Sequence, residues 1–348
     1  MNRRPVASIT EHFESLPDPR VERTKQHLLQ DILTIAICGV ICGADSWVEM
    51  EQFGEAKENW LRTFLKLPNG IPSHDTFGRV FAALDPEVFG RCFSSWIAAV
   101  SKVTKGSVVA IDGKTLRRSF DAGSEKAAIH MVSAWADSNE LVLGQVKTEE
   151  KSNEITAIPK LLSMLELSGC IVTIDAMGCQ KKIATRIVDC GADYVLSLKG
   201  NQETMAAEVR EFFDWAVASK FKDVEHDFFE TVEKDHGRLE IRRYWCTSDV
   251  GWFEDRNEWS GLASFGMVAS ERRIGEEVTR ERRFYISSLN GRNAKIFAHA
   301  ARSHWGIENK LHWALDVAFR EDENRVRKDH SAANFSTLRH IALNQNQT

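Results

Sequence analysis

The sequence predicts an α/β chain: a mixed sheet with helices on its faces and a β-rich insertion, preceded by an all-helical N-terminal domain. Three observations predict it. Residues 1–104 repeat apolar side chains at helical spacing. From residue 105 short apolar runs alternate with amphipathic helices, the pattern of a sheet covered by helices. Residues 221–290 break that alternation with paired β runs before helix resumes near Asn293. The domains expected are therefore 1–104, a core made of 105–220 with 291–344, and the 221–290 insertion.

In the helical part, Leu28, Ile32, Leu33, Ile35, Ala36 and Val40 give one broad apolar face. A second helix runs near Trp47–Phe64 and ends before Leu67-Pro68-Asn69-Gly70. Ser73 is placed to N-cap a third helix carrying Phe77, Val80, Phe81 and Leu84 inward. Asp85-Pro86 stops it and opens a fourth through Phe89, Phe93, Trp96 and Ile97. The helices beginning at Ser73 and Pro86 form either a DNA-reading pair or a packing layer for the neighbouring domain.

In the core, Ser107–Asp112, His130–Trp135 and Leu141–Thr148 read as strands. Asn153–Leu167 reads as a helix, Cys170–Asp175 as a strand, Lys181–Cys190 as a helix, Tyr194–Leu198 as a strand and Gln202–Ala218 as a helix. In the insertion, Phe228–Val232 and Leu239–Cys246 flank Asp235-His236-Gly237, while Phe265–Arg273 and Thr279–Ser287 flank Ile274-Gly275-Glu276. One long helix is expected from Asn293 to about Phe319.

Composition narrows the function. With 43% hydrophobic and 27% charged residues among 348, the chain is neither disordered nor a coiled coil. The uncharged run Ile32–Ala44 is shorter than the roughly 20 residues needed to span a bilayer. Met1-Asn-Arg-Arg-Pro5 leads into polar sequence without an apolar signal segment, so a soluble, cytosolic protein is expected. Seven cysteines without a C-x-x-C pair argue for buried reduced thiols rather than a zinc ribbon. The net charge is −5, yet residues 286–348 carry nine Lys and Arg against six Asp and Glu. A phosphate-binding face must therefore be built locally.

Asp112 and Asp175 each end an apolar strand, where residues of an α/β sheet face the ligand crevice. Each has another reading: Asp112-Gly113 is a favoured turn dipeptide, and Asp175 can cap the next helix. Glu308 stands three and seven residues before Leu311 and Leu315, which on an α-helix share its face. A carboxylate so placed costs several kcal/mol, to order of magnitude, unless a cation or donor meets it. Three carboxylates of this kind suit one or two divalent ions, and Mg²⁺ prefers such oxygen ligands. Two ions about 4 Å apart serve phosphoryl transfer. His304, Glu308 and His312 also follow at steps of four, but eight residues span about 12 Å, too far for one shared ion. Capping, phosphate contact or packing accounts for both histidines.

The ordered blocks carry a family resemblance. Val-Val-Ala-Ile-Asp-Gly-Lys-Thr-Leu-Arg (108–117) resembles the first-aspartate block of bacterial insertion-sequence transposases of the H-repeat-associated family. Glu150-Lys-Ser-Asn-Glu-Ile155, Thr173-Ile-Asp-Ala-Met-Gly-Cys-Gln180 and Asp193–Gln202 match it in order, as do His236-Gly-Arg238 and Arg302-Ser-His-Trp-Gly-Ile-Glu-Asn309. The resemblance covers almost the whole chain.

It implies a DDE transposase with a ribonuclease-H-like core, a helical associated domain and a β-rich insertion before the third acid. Asp112, Asp175 and Glu308 fall on the family's catalytic, metal-binding positions, implying two Mg²⁺ or Mn²⁺ ions. Asp316, Glu321 and Asp322 are nearby alternatives; Asp316 stands about 80° around an α-helix from Glu308 and is the poorer choice. Implied partners are double-stranded DNA, as element terminal repeats and target, and a second copy of the chain in a synaptic homodimer. No membrane and no small-molecule substrate is implied, and the location is cytoplasmic, at the nucleoid. Lys114, Arg117, Arg118, Arg302, His304 and Lys310 stand close to these acids and are candidate DNA contacts, Arg302 and Lys310 equally candidates for surface salt bridges. Arg272 and Arg273, with Arg280, Arg282 and Arg283, either clamp DNA from the insertion's hairpin or pair with Glu271, Glu276, Glu277 and Glu281. Related transposases continue past residues 339–344 with a basic stretch, whereas this sequence ends in Gln345-Asn-Gln-Thr348. That reads as a truncation and sets up the alternative: a remnant that binds DNA or a partner transposase without catalysis.

Overall fold

The computed structural model describes residues 9–101, 105–120, 127–148, 154–235 and 237–345. Met1–Pro5, Glu150–Asn153 of the second motif block, His236 and Asn346–Thr348 lie outside the described residues. In chain order the helices and strands are α1 (Ile9–Phe13), α2 (Leu29–Ile41), α3 (Trp47–Leu61), α4 (His74–Ala83) and α5 (Pro86–Val100). Next come β1 (Val108–Thr115), β2 (His130–Ala136), β3 (Leu141–Lys147), α6 (Glu154–Ser163), β4 (Ile171–Ile174), α7 (Lys181–Asp189), β5 (Asp193–Leu198) and α8 (Glu203–Ala218). The remainder comprises β6 (His226–Asp235), β7 (Arg238–Thr247), β8 (Ser264–Ile274), β9 (Glu277–Ser287), α9 (Ala294–Ser303), α10 (Trp313–Val317) and α11 (Ser331–Gln345).

The chain divides into two compact units. One is drawn from residues 1–102, 113–165 and 308–348, the other from 103–112 and 166–307.

The second unit is a mixed sheet. β1, β4 and β5 run parallel, and β5 then pairs antiparallel with β9, which leads through β8 and β7 to β6. The β-rich residues expected as an insertion thus continue the sheet edge to edge. Their strands are ten and eleven residues long. Side chains alternate across a strand, so adjacent Phe284 and Tyr285 face opposite ways. Tyr285 joins Val195, Val268 and Tyr244 in a buried cluster beneath Phe297, Ala298 and Ala301 of α9. Phe284 instead meets Phe213 of α8, with ring centroids 6.0 Å apart. Helices therefore cover both faces. Gly266 lets Phe297 lie flat on β8, because a Cβ there would overlap the ring.

The first unit is built around α11. Fourteen of its fifteen residues are buried, so it has no solvent face. Asn334 and Asn344 tie it to its neighbours, whereas both ring nitrogens of His340 are buried without a hydrogen-bond partner among the described residues. Asn334 donates to the carbonyls of Phe81 (2.8 Å) and Leu84 (2.9 Å), closing the end of α4. Asn344 accepts from Val142 N–H at 3.0 Å and donates to its carbonyl at 2.8 Å, as a strand neighbour would. α2, α4, α5 and β3 pack around this helix. The apolar run near residue 32 is α2, with Ile32, Leu33, Ile35 and Ala36 buried in this core. Among the described residues no helix is long and apolar enough to cross a membrane. Asp85 caps α5 as its Asp-Pro signal predicts, whereas the Ser73 side chain makes no cap bond to α4 and lies 3.2 Å from the Thr76 hydroxyl.

The long helix expected from Asn293 to about Phe319 is not continuous. α9 ends at Ser303, a π-helical turn occupies Ile307–His312, and α10 follows. Widening the turn by one residue shifts every side chain that follows.

Candidate active site

β1 and β4 pair in register from Val108 opposite Ile171 to Ile111 opposite Ile174. The next residue on each is an aspartate. Asp112 and Asp175 therefore stand side by side at the carboxyl end of the parallel pair, where neighbouring strands are about 4.8 Å apart. Both are half-buried. Asp112-Gly113 lies inside β1, which runs on to Thr115, so the turn reading does not hold. The cap reading of Asp175 does hold: its Oδ1 accepts from Met177 N–H at 3.0 Å at the head of the turn Ala176–Gly178. A carboxylate has about four acceptor sites, so this cap leaves capacity for a cation.

The immediate surroundings fix the pair. Behind Asp175, burial together with the adjacent carboxylate pushes the Cys179 thiol up to about 12, so it stays protonated. Nδ1 of His304, at the end of α9, is 3.1 Å from Oγ1 of Thr173, two residues before Asp175. Burial holds this imidazole down to about 4, against the pull of Asp175 toward the charged form, so His304 is neutral at pH 7. In the first unit, His130 Nε2 and Glu154 Oε1 form a 2.8 Å pair, and His130 Nδ1 is 2.9 Å from the Thr115 hydroxyl. A Cβ on Gly113 would run into this pair, which explains why glycine follows the first aspartate.

Two partly dehydrated carboxylates side by side repel each other, a repulsion that a divalent cation relieves. Hard oxygen donors few in number are what Mg²⁺ and Mn²⁺ accept while retaining water. The pair fits such an ion. Among the described residues no group of three or more His, Cys, Asp or Glu side chains gathers at metal-holding distances.

Glu308 departs from its expected setting. It is exposed, and the buried stripe is Ile307, Leu311 and Leu315. Its desolvation argument therefore fails, because the π-helical turn gives the core to the preceding residue. Lys310 is paired with Glu140 at 2.7 Å and Asp137 at 3.5 Å, and these partners hold its ammonium above the ordinary range. The three alternative acids have an assigned place. Lys114 Nζ lies 2.7 Å from Asp316, 3.0 Å from Asp322 and 3.8 Å from Glu321. Burial works against this charge, but the carboxylates outweigh it and raise the Lys114 pKa. Arg117 adds a 3.1 Å contact to Asp322, and the buried Arg339 reaches Glu321 at 3.4 Å.

The remaining basic candidates separate by partner. Arg118, Arg272 and Arg302 are exposed. Arg273 and Arg280 both grip Glu271, Arg282 pairs with Asp214, and Arg283 pairs with Glu281 while lying 4.4 Å over the Trp305 ring. Most of the hairpin's positive charge is thus matched locally. Sequence reasoning missed the Lys114 cage and the His130–Glu154 lid on Gly113. Nothing in the local sequence signals them, since Lys114 and Asp316 are 202 positions apart.

The fold is thus a mixed α/β sheet with two aspartates at the carboxyl ends of neighbouring parallel strands. The comparisons give the family. Residues 104–345 match the Transposase DDE domain model and residues 10–97 match the DDE_Tnp_1-associated model, and the chain belongs to this family of DDE-domain transposases. It is 45% identical over 343 residues to "Putative transposase YncI" of Escherichia coli O157:H7, covering 97% of this chain and 87% of that protein. It is 43% identical over 344 residues to "H repeat-associated putative transposase YhhI" of Escherichia coli strain K12, covering 97% and 90%.

Proposed function

We propose that this chain hydrolyses double-stranded DNA at the ends of a mobile element and then joins the freed 3′-hydroxyl to target DNA. The observation that carries the reading is the placement of Asp112 and Asp175 one register step beyond the Ile111–Ile174 pair, in a chain of the DDE-domain family. The parallel β1–β4–β5 trio, and the antiparallel β2–β3 hairpin that follows β1 in sequence, support a ribonuclease-H-like core.

Asp112 and Asp175 hold two Mg²⁺ or Mn²⁺ ions, and Glu308, free of any packing duty, supplies the third carboxylate. Bound there, the cations supply Lewis acidity toward the scissile phosphate. The Met177 amide orients Asp175, and the His130–Glu154 pair over Gly113 fixes the strand that carries Asp112. His304, held neutral beside Asp175, offers an imidazole without adding charge to the cradle. Lys114 and Arg117 hold the acidic turn at Asp316–Asp322, while the exposed Arg118, Arg272 and Arg302 contact DNA phosphates; Lys310 and Arg273, expected to do the same, are matched by carboxylates instead. Two copies act together on paired ends, in the cytoplasm at the nucleoid.

The test is cleavage of duplexes bearing candidate terminal repeats, with Mg²⁺, Mn²⁺ or EDTA. End-specific nicking that is lost in EDTA and in Asp175→Asn is the expected result. Binding without nicking would instead identify a non-catalytic remnant, and nicking of any duplex a nuclease without end recognition.

A further inference from the structure

The first unit holds a second basic surface, separate from the aspartate pair. A cleft of about 940 Å³ opens beside the start of α3 and the first turn of α4, with Arg118 after β1 and the run 320–328 ahead of α11 completing its wall. Six cationic side chains line it: Arg79, Arg118, Arg320, Arg325, Arg327 and Lys328.

Their partners decide what the cleft can bind. Arg320 is held by Glu323 and Asp45. Arg327 donates to the Arg118 carbonyl at 2.9 Å and lies 5.0 Å over the Phe120 ring. Arg79 donates to the Asp75 carbonyl at 3.2 Å, and the Asp75 carboxylate stands in the wall as the third acid beside Asp45 and Glu323. Among the described residues, Arg118, Arg325 and Lys328 are exposed and ion-pair with no carboxylate. The contrast with the hairpin, where Glu271, Glu281 and Asp214 occupy four arginines, is direct. Unmatched cations around a concave wall focus positive potential, and guanidinium groups match phosphate oxygens in pairs.

The same wall is poor at reading bases. Trp47, its aromatic side chain, is stacked on Phe81 at 5.0 Å and tilted against Phe335 at 5.0 Å. Asn324 spends its amide on the Asp45 carbonyl and its oxygen on Val326 N–H. Neither side chain is left to stack on a base or to pair with its edge, and base choice would rest on the arginines alone.

We propose that this cleft seats the phosphodiester backbone of duplex DNA and adds affinity without sequence choice. The inference rests on the transposase reading and assigns it a surface outside the reacting centre.

The experiment measures binding of the full chain to labelled duplexes of several unrelated sequences by fluorescence anisotropy. It is run in EDTA, across salt from about 50 to 200 mM. The variant is Arg118→Ala/Arg325→Ala/Lys328→Ala. The control, Lys57→Ala/Lys66→Ala/Arg91→Ala, removes three exposed cations elsewhere, and thermal melts verify folding of both. Each lost phosphate contact lowers the slope of log K against log salt by about 0.9, so the cleft variant should lose roughly 2–3 from the slope, equally for every duplex, and the control none. An unchanged slope in a variant that still binds duplex overturns the cleft and leaves the transposase reading standing. A loss confined to one sequence, or tighter binding of duplex RNA than of DNA by the parent, also overturns it. Failure of the parent chain to bind any duplex removes the transposase reading as well.

Discussion

The ammonium of Lys114 rests 2.7 Å from the carboxylate of Asp316, joining the strand that carries the first aspartate to a turn 202 residues later. Asp322 and Glu321 complete the cage, and the Lys114 side chain is only 11% exposed. Removing the cation leaves Asp316 without its partner and the buried Glu321 with Arg339 alone. Lys114→Met should therefore cost about 3 kcal/mol, the scale of breaking a buried pair. Urea unfolding checks this, and pairing it with Asp316→Asn should return part of the loss.

The two aspartates make the opposite prediction. Side by side their charges repel each other, although Asp175 also caps the turn that follows it. Asp112→Asn and Asp175→Asn should each reduce strand cleavage by at least about 10²–10³-fold, the scale of removing a charge-stabilising group from a reacting centre. Their melting temperatures should stay level or rise in metal-free buffer. A fall of several degrees would show these residues to be structural.

Glu308 and Leu311 occupy opposite settings within one π-helical turn. Glu308 is exposed and Leu311 is fully buried. Glu308→Gln should abolish cleavage with stability unchanged, whereas Leu311→Ala should lose about 2–5 kcal/mol in denaturant unfolding.

Gly113→Ala pushes a methyl group into the His130–Glu154 pair. An overpacked substitution of this kind costs about 1–3 kcal/mol, and because the strain falls next to Asp112 it should also slow cleavage. Adding Glu154→Ala should return part of the loss, since it frees the His130 ring, which the methyl group also overlaps, to move aside.

Acid should loosen the molecule through two imidazoles, the half-buried His304 and the buried His340. Burial holds His304 down to about 4 and His340, which also faces His312, Arg339 and Lys114, down to about 3. Unfolded histidines titrate near 6.5, so as pH drops the unfolded chain binds protons first. Their contribution is intact above pH 6.5 and declines as pH falls toward 4 and then 3. Urea midpoints measured down this range should fall, and His340→Phe should flatten the decline.

The legible and illegible parts of this chain divide by range. Asp112 and Asp175 can be read because each ends an apolar run, and register is set by that pattern. Glu308 is legible in its block but not in its surroundings, because helical periodicity assumes 3.6 residues per turn and the Ile307–His312 segment does not obey it. The hairpin arginines leave two readings open, since Glu271 and Asp214 reach them only once the strands are in register and α8 is in place. Lys114 gives no local sign of its cage. Ion pairs across two hundred residues belong to the tertiary structure.

Burying α11 on all sides has a consequence for the order of assembly. The second unit is complete once residue 307 has been made, but the first must wait for its central strut. At about 5–20 residues per second, the roughly 180 residues after α6 and its loop take on the order of 10–40 s to synthesise. Through that interval the nascent α2, α4 and α5 expose the apolar surface meant for Phe335, Leu338 and Ile341. Chaperone dependence of this polypeptide should accordingly fall on its earliest segments, the ones that wait longest for their partner.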